Sequence, residues 1–230
     1  TVEPVHLAFF DSVSAIADAK AEIFSGLEAG GIAVLNRDNA YFDRLVAHAS
    51  AKGVARVIGF GAGAQADARL IRAVNHPHCS CVSADICGQA MTYKVGVPGP
   101  HWVSNSLAVL AAVQALGGDL GLAGLALGEL AAGAGRGQHI EAAWAGGSVE
   151  IIDESYNANP ASMRAALALL GAAAPGPRGR RIAVLGDMLE LGDDAARLHG
   201  ELGVAAAESE TDLVFAAGAG EQLVGAVSFS

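Results

Sequence analysis

Residues 151–160 read IIDESYNANP, and a helix-like SMRAALALL follows. Two isoleucines lead into Asp153 and Glu154, then Tyr156, Asn157 and Asn159 ahead of a proline. A stretch that only turned a corner would use glycine, serine and one aspartate. The preceding VEII reads as a buried strand, so these polar groups sit at a strand's carboxyl end, where open α/β sheets bind ligands. Asp153 could accept hydrogen bonds from a ribose or act through a metal. On local grammar alone, Asp153 or Ser155 caps the next helix, while Asn157 and Asn159 form Asx-turns.

Other residues invite chemistry less strongly. GFGAGA (59–64) follows a strand and imitates a dinucleotide fingerprint, but no ribose-binding acid follows a second strand some 20 residues on. It reads as a loop. HPHCSC (76–81) offers four zinc donors, yet they are adjacent or alternate along a strand, unlike the C-x₂₋₄-C pairs of structural zinc sites. GAGEQ (218–222) suggests phosphate binding with nothing beside it in support.

The elements that would carry these residues alternate. Ile16, Ala19, Ile23, Phe24 and Leu27 have helical spacing across 12–29, with Ser12 as N-cap and Gly30-Gly31 as stop. GIAVLN (31–36) reads as a strand, 38–53 as an amphipathic helix and VARVIGFG (54–61) as the next strand. That alternation implies a parallel sheet with crossover helices. From 76 to 99 the pattern becomes an antiparallel excursion. An apolar helix is expected over 101–117, a short one over 125–133, and a hairpin around Gly146-Gly147 within 135–155. A fresh α/β run then follows: SMRAALALL, RRIAVLGD, DAARLHGELGVAAAES, DLVFAAG.

Composition sets the bounds. The 230 residues are 52% hydrophobic but only 5% aromatic, with 14 basic against 24 acidic side chains and net charge −10. No basic stripe is present, which excludes backbone-driven nucleic-acid binding. No apolar run reaches the roughly 20 residues of a membrane span, and no signal region opens the chain. Cys79, Cys81 and Cys87 are an odd number, arguing against a disulfide framework and for a reducing cytoplasm.

DESYNANPASM resembles the signature of the Mur ligases, nearest the branch that joins D-alanyl-D-alanine to a UDP-N-acetylmuramoyl-tripeptide. GDMLELG (186–192) resembles the family's next landmark, and His199 falls where its members often carry a histidine. VEPVHLAFF with IADAKAEIF resembles the stretch just after the family's phosphate loop. There the resemblance makes His6 a magnesium ligand and Lys20 a carbamoylated lysine; a carbamate supplies the anionic oxygen that magnesium prefers. Without it, Lys20 is a solvated helix lysine and His6 a capped or core histidine. HWVSNSLAVLAA resembles the adenine-contacting helix start, with His101 and Asn105 on matching positions; Trp102 departs from the pattern's first asparagine. An asparagine amide can meet both the donor and the acceptor of an adenine edge. GRGQ (135–138) resembles the family's inter-domain segment, whose arginine, Arg136 here, reaches the nucleotide phosphates with a rigid donor fork. Asp153 would then hold the ribose, with Tyr156 and Asn157 as further nucleotide-binding residues.

The resemblance implies a parallel-sheet ATP-binding domain over 1–138 and a Rossmann-like α/β domain over 139–230, with ATP and Mg2+ as cofactors. The expected enzyme is cytoplasmic and monomeric. It acts on UDP-muramoyl-tripeptide and D-alanyl-D-alanine through an acyl phosphate. No glycine-rich phosphate loop with a G-K-[ST] ending occurs, and both ends look cut. The chain is therefore expected to be part of a longer ligase and inactive alone. Other readings are an amino-acid-adding or folate-polyglutamylating relative, a nicotinamide oxidoreductase resting on GFGAGA, or a non-catalytic nucleotide-binding module.

Overall fold

A computed structural model describes residues 2–3, 7–144, 146–177 and 179–218. His6 and most of GAGEQ lie outside the described residues. Chain contacts divide the molecule into two units. One comprises Thr1–Glu3 with Ser12–Ala131, the other Pro4–Asp11 with Ala132–Ser230.

The first unit is built on a five-stranded mixed sheet in the order β1-β2-β3-β4-β5. The strands are β1 (Ile32–Asn36), β2 (Arg56–Gly61), β3 (Ala68–His76), β4 (Cys79–Ile86) and β5 (Gln89–Val95). The first three pair in parallel and the last three form an antiparallel meander; β4 and β5 fall within the excursion expected from 76 to 99, while β3 precedes it. Helix α1 (Val13–Ala21) precedes β1 and α2 (Phe42–Ala51) crosses to β2; α3 (Pro100–Ala115) and α4 (Leu120–Gly128) close the unit. Val103, Leu107, Leu110 and Ala111 of α3 are buried, as are Ile58, Val82, Ile86 and Val95 of the sheet. A helix packed on a sheet must bury such a stripe, and the abundant alanines allow close approach.

Two helices differ from expectation. Ser12 does cap α1, its side chain accepting from the Ala15 N–H. The helix, however, tightens into a 3₁₀ turn over Glu22–Gly26. With three residues per turn instead of 3.6, the apolar stripe loses phase. Phe24 stays buried while Ile23, expected inward, is 73% exposed. The short helix expected over 125–133 starts earlier, at Leu120, because Asp119 caps it by accepting from the Leu122 N–H.

The GFGAGA segment has a structural explanation. Parallel strands ordinarily need a crossover of a dozen or more residues, but β2 and β3 are joined by six. They pair at only two positions, Phe60 with Ala68 and Gly61 with Arg69. The Gly59 N–H donates to Asp67 Oδ2 (2.7 Å), and the Ala62 and Gly63 N–H groups donate to the Asp38 carboxylate (2.6 and 3.1 Å). A Cβ on Gly61 would lie 2.5 Å from an Asp38 oxygen. The glycines let the chain fold back, and its own aspartates take the amides that a dinucleotide phosphate would need.

The second unit contains the hairpin β6 (Gln138–Trp144) and β7 (Gly147–Asp153), then α5 (Pro160–Ala172), β8 (Ile182–Gly186), α6 (Ala195–Glu208) and β9 (Leu213–Ala217). β8 and β9 pair in parallel. Leu167 of α5 packs with Ala183 and Leu185 of β8 and with Ala205 and Ala206 of α6.

One buried polar pair in the first unit is testable. Ser106 Oγ donates to the Val103 carbonyl (2.7 Å), so the Tyr93 hydroxyl donates to Ser106 Oγ (2.8 Å). Burial pushes the Tyr93 phenol up from its ordinary pKa. Ser106→Ala strands the Tyr93 hydroxyl and should cost about 1–3 kcal/mol in denaturant unfolding. Tyr93→Phe leaves Ser106 bonded and should cost less. A double variant less stable than Ser106→Ala alone would contradict this coupling.

Candidate functional site

In the second unit, DESYNANP and GRGQ meet. The Gly137 N–H donates to the Asp153 carbonyl (2.9 Å) and the Tyr156 N–H to the Gly135 carbonyl (3.0 Å). The Gly135 N–H donates to Asp153 Oδ2 and the Ser155 N–H to Asp153 Oδ1, both at 3.1 Å. Gly135 (φ +72°) and Gly137 (φ +81°) both lie in the left-handed region, where a side chain is strained. A Cβ on Gly135 would sit 2.7 Å from the Tyr156 nitrogen. The two glycines therefore hold Arg136 against the 153–156 loop. The Arg136 guanidinium carbon lies 3.8 Å from the centroid of the Tyr156 ring.

The roles separate cleanly. Asn159, not Asp153 or Ser155, caps α5: its side chain accepts from the Ala161 and Ser162 N–H groups, and Ser162 Oγ accepts from the Asn159 N–H. Pro160 occupies the first turn, where a missing N–H costs nothing. Asp153 is held below the usual carboxylate range, first by the Ser155 hydroxyl and amide and further by the Gly135 amide. It stays anionic, and these three donors leave roughly one of its about four lone-pair sites open. Glu154 is pushed up, chiefly by burial and then by the Asp153 charge. Asn157 is exposed on the same loop.

GDMLELG adjoins this loop. Met188 and Leu191 form a buried cluster with Leu198 and Leu202 of α6, and Ala158 packs against it. His199 is buried and ties the motif down: its Nε2 accepts from the Met188 N–H (2.9 Å) while Nδ1–H donates to the Ala195 carbonyl (2.8 Å). Those bonds fix the neutral, Nδ1-protonated ring. Between the anchors Leu189 is 74% exposed, and Glu190 takes a left-handed φ of +61°.

In the first unit, Lys20 occupies the last turn of α1, exposed, at the wall of a cleft of about 280 Å³ that Ile23, Phe24, Leu27 and β1 also line. Its exposed amine is accessible to the carbon dioxide that would make it a carbamate. The helix bearing it is anchored by a residue the sequence did not single out. Asp18 accepts two hydrogen bonds from Arg44 of α2, both 2.6 Å, and pairs with His48 Nε2 at 2.8 Å. Arg44 and His48 are four apart on α2 and so share a face, which is the signal that could have revealed the pair. His101 and Asn105 are likewise four apart, in the first turns of α3, and both are exposed. The chain packed around the His101 ring pulls its pKa below the ordinary imidazole value.

The matches to known proteins also fall into two parts. Residues 1–113 match the model of the Mur ligase middle domain, and residues 135–228 that of the Mur ligase glutamate ligase domain. The chain belongs to the Mur ligase family. It is 34% identical, over 217 residues and 93% of its length, to the UDP-N-acetylmuramoyl-tripeptide–D-alanyl-D-alanine ligase of Escherichia coli strain K12. The ligase of the same name from Rickettsia prowazekii is 29% identical over 87% of the chain. A crystal structure of MurF from Acinetobacter baumannii superposes with a TM-score of 0.83 over 94% of this chain at 27% identity, covering 45% of that protein. The chain spans under half the length of the curated relatives it matches, 43% and 45% for the two named here.

Two predictions arise from this geometry. Gly135→Ala should destabilise the second unit by about 1–3 kcal/mol, because it combines a left-handed Cβ with a steric clash. Gly133→Ala, where a Cβ meets nothing within 4 Å, should be neutral. Thermal unfolding of the two variants decides; equal melting temperatures would refute the close approach. The second concerns acid. Arg44, then His48, holds Asp18 down at a pKa of about 2, against roughly 3.9 in an unfolded chain. A depressed carboxylate stabilises the fold fully above its unfolded pKa and loses that contribution as pH falls from about 4 through about 2. A carboxyl ¹³C titration should show the Asp18 midpoint near 2 in the native chain; a midpoint near 3.9 would mean the α1–α2 pair does not form in solution.

Proposed function

We propose that the whole protein is an ATP-dependent ligase joining D-alanyl-D-alanine to UDP-N-acetylmuramoyl-tripeptide. One observation carries the reading: Arg136, Asp153 and Tyr156 are brought into a single backbone-locked cluster, in a chain whose relatives bear that name. In the proposed reaction a tripeptide carboxylate oxygen attacks the γ-phosphorus of ATP and ADP leaves. The D-alanyl-D-alanine amine then attacks the acyl carbon, loses its proton and expels phosphate as the amide forms.

The chain's residues have defined tasks in this scheme. Arg136 offers a planar donor fork to phosphate oxygens. Asp153, already anionic and oriented, accepts from a ribose hydroxyl through its remaining lone pair. Asn105, on the exposed face of α3 with His101, presents an amide to the adenine edge, and Asn157 extends the polar loop. Lys20, as its carbamate, and His6 would hold Mg2+, which when bound would neutralise charge on the phosphoryl oxygens. An exposed lysine on an anchored helix fits that requirement. The amides of GFGAGA, occupied by Asp38, speak against the oxidoreductase alternative.

The test is phosphate release by the whole protein with ATP, Mg2+ and UDP-muramoyl-tripeptide. Release should depend on D-alanyl-D-alanine and fall roughly a hundredfold or more in Lys20→Ala, since a metal ligand supports several kcal/mol of charge stabilisation. Release indifferent to the dipeptide would remove the substrate assignment. A Lys20→Ala variant as active as the unaltered protein would return Lys20 to a solvated helix face.

A further inference from the structure

Arg136 is exposed and flanked by two glycines, a setting in which a long side chain would sample many rotamers. Instead its guanidinium lies over the face of Tyr156. We propose that Tyr156 is a positioning residue: it preorganises Arg136 for an anionic phosphate group and acts through the arginine, not by touching the nucleotide. The inference rests on the phosphate-binding reading of Arg136 given above.

Three features support it. A guanidinium stacks through its flat face and donates from its edge, so a contact over the ring restrains Arg136 without consuming its N–H donors. The aromatic platform is itself fixed, because the Tyr156 N–H is bonded to the Gly135 carbonyl and Gly135 admits no side chain beneath it. Finally, Tyr156 is 66% exposed and therefore is not a core residue held for packing. Restricting Arg136 in advance lowers the ordering cost when a phosphate arrives.

The experiment is a double-mutant cycle on the whole protein, with ADP and Mg2+ titrated by calorimetry. An exposed stack of this kind corresponds to about a two- to five-fold change in affinity. Tyr156→Leu should weaken binding by that factor, Tyr156→Phe should leave it unchanged, and Tyr156→Leu should have no further effect in an Arg136→Ala background. Equal losses from Tyr156→Leu with and without Arg136 would mean that Tyr156 contacts the nucleotide directly and would overturn the inference. So would a Tyr156→Phe loss as large as that of Tyr156→Leu. If Arg136→Ala weakens binding but Tyr156→Leu does not, only the positioning role falls. If Arg136→Ala binds as the unaltered protein does, the phosphate reading fails and the inference with it. An independent readout needs no nucleotide: the Arg136 Nε–H proton resonance should show an upfield ring-current shift that disappears in Tyr156→Leu.

Discussion

The second unit's candidate site depends on how Asp153 is hydrogen-bonded. Its carbonyl accepts from Gly137, its carboxylate accepts from Gly135 and Ser155, and the chain returns the favour at Tyr156 N–H to Gly135. These bonds extend the β6–β7 hairpin by a few irregular residues and bind the GRG segment to the loop after β7. Every other feature of the site follows from that closure. Glycine is required on either side of Arg136 because the backbone turns left-handed at both positions, and at Gly135 it also runs against Tyr156. Arg136 must then project from the one position between them that can carry a side chain.

The same carboxylate shows why a structural and a functional reading need not compete. Asp153 is bonded to the backbone and is held anionic by those bonds. A carboxylate has about four lone-pair sites, and the Ser155 hydroxyl with two backbone amides leaves room for a further donor. A group ordered in this way meets a ligand without first losing rotamer freedom. Asn159 is the contrasting case: its side-chain oxygen serves two amides of α5 and completes a capping box, so helix capping accounts for it. Within one ten-residue motif, the structure thus separates a residue that ends a loop from one that orients a site.

Much of this was legible in the sequence where periodicity or a cap declared it. The strand–helix alternation, the β4–β5 part of the antiparallel meander, the hairpin around Gly146-Gly147 and the Ser12 cap all follow from local pattern. Three things did not. The early close of α1 reverses the exposure of Ile23, since a change from 3.6 to 3.0 residues per turn leaves composition untouched. The Asp18 pair with Arg44 and His48 joins residues 26 and 30 positions apart, and a single charged residue on a helix does not announce a distant partner. The stacking of Arg136 on Tyr156 depends on glycine dihedrals, which a GRG string permits but does not specify.

The glycine-rich GFGAGA segment carries the converse lesson. A fingerprint of this kind works in dinucleotide sites because free backbone amides converge on a phosphate. Here the converging amides are present, but Asp38 lies against them at 2.6 and 3.1 Å. An internal carboxylate in such a nest is a covalently tethered anion, and a free phosphate would have to displace it. The tether also explains the extreme economy of the β2–β3 connection: six residues suffice for a parallel pairing because two aspartates, Asp38 and Asp67, fasten the reversal from either side. Glycine spacing therefore reports that backbone amides are exposed at a turn; which anion they hold is decided by acidic side chains elsewhere in the chain.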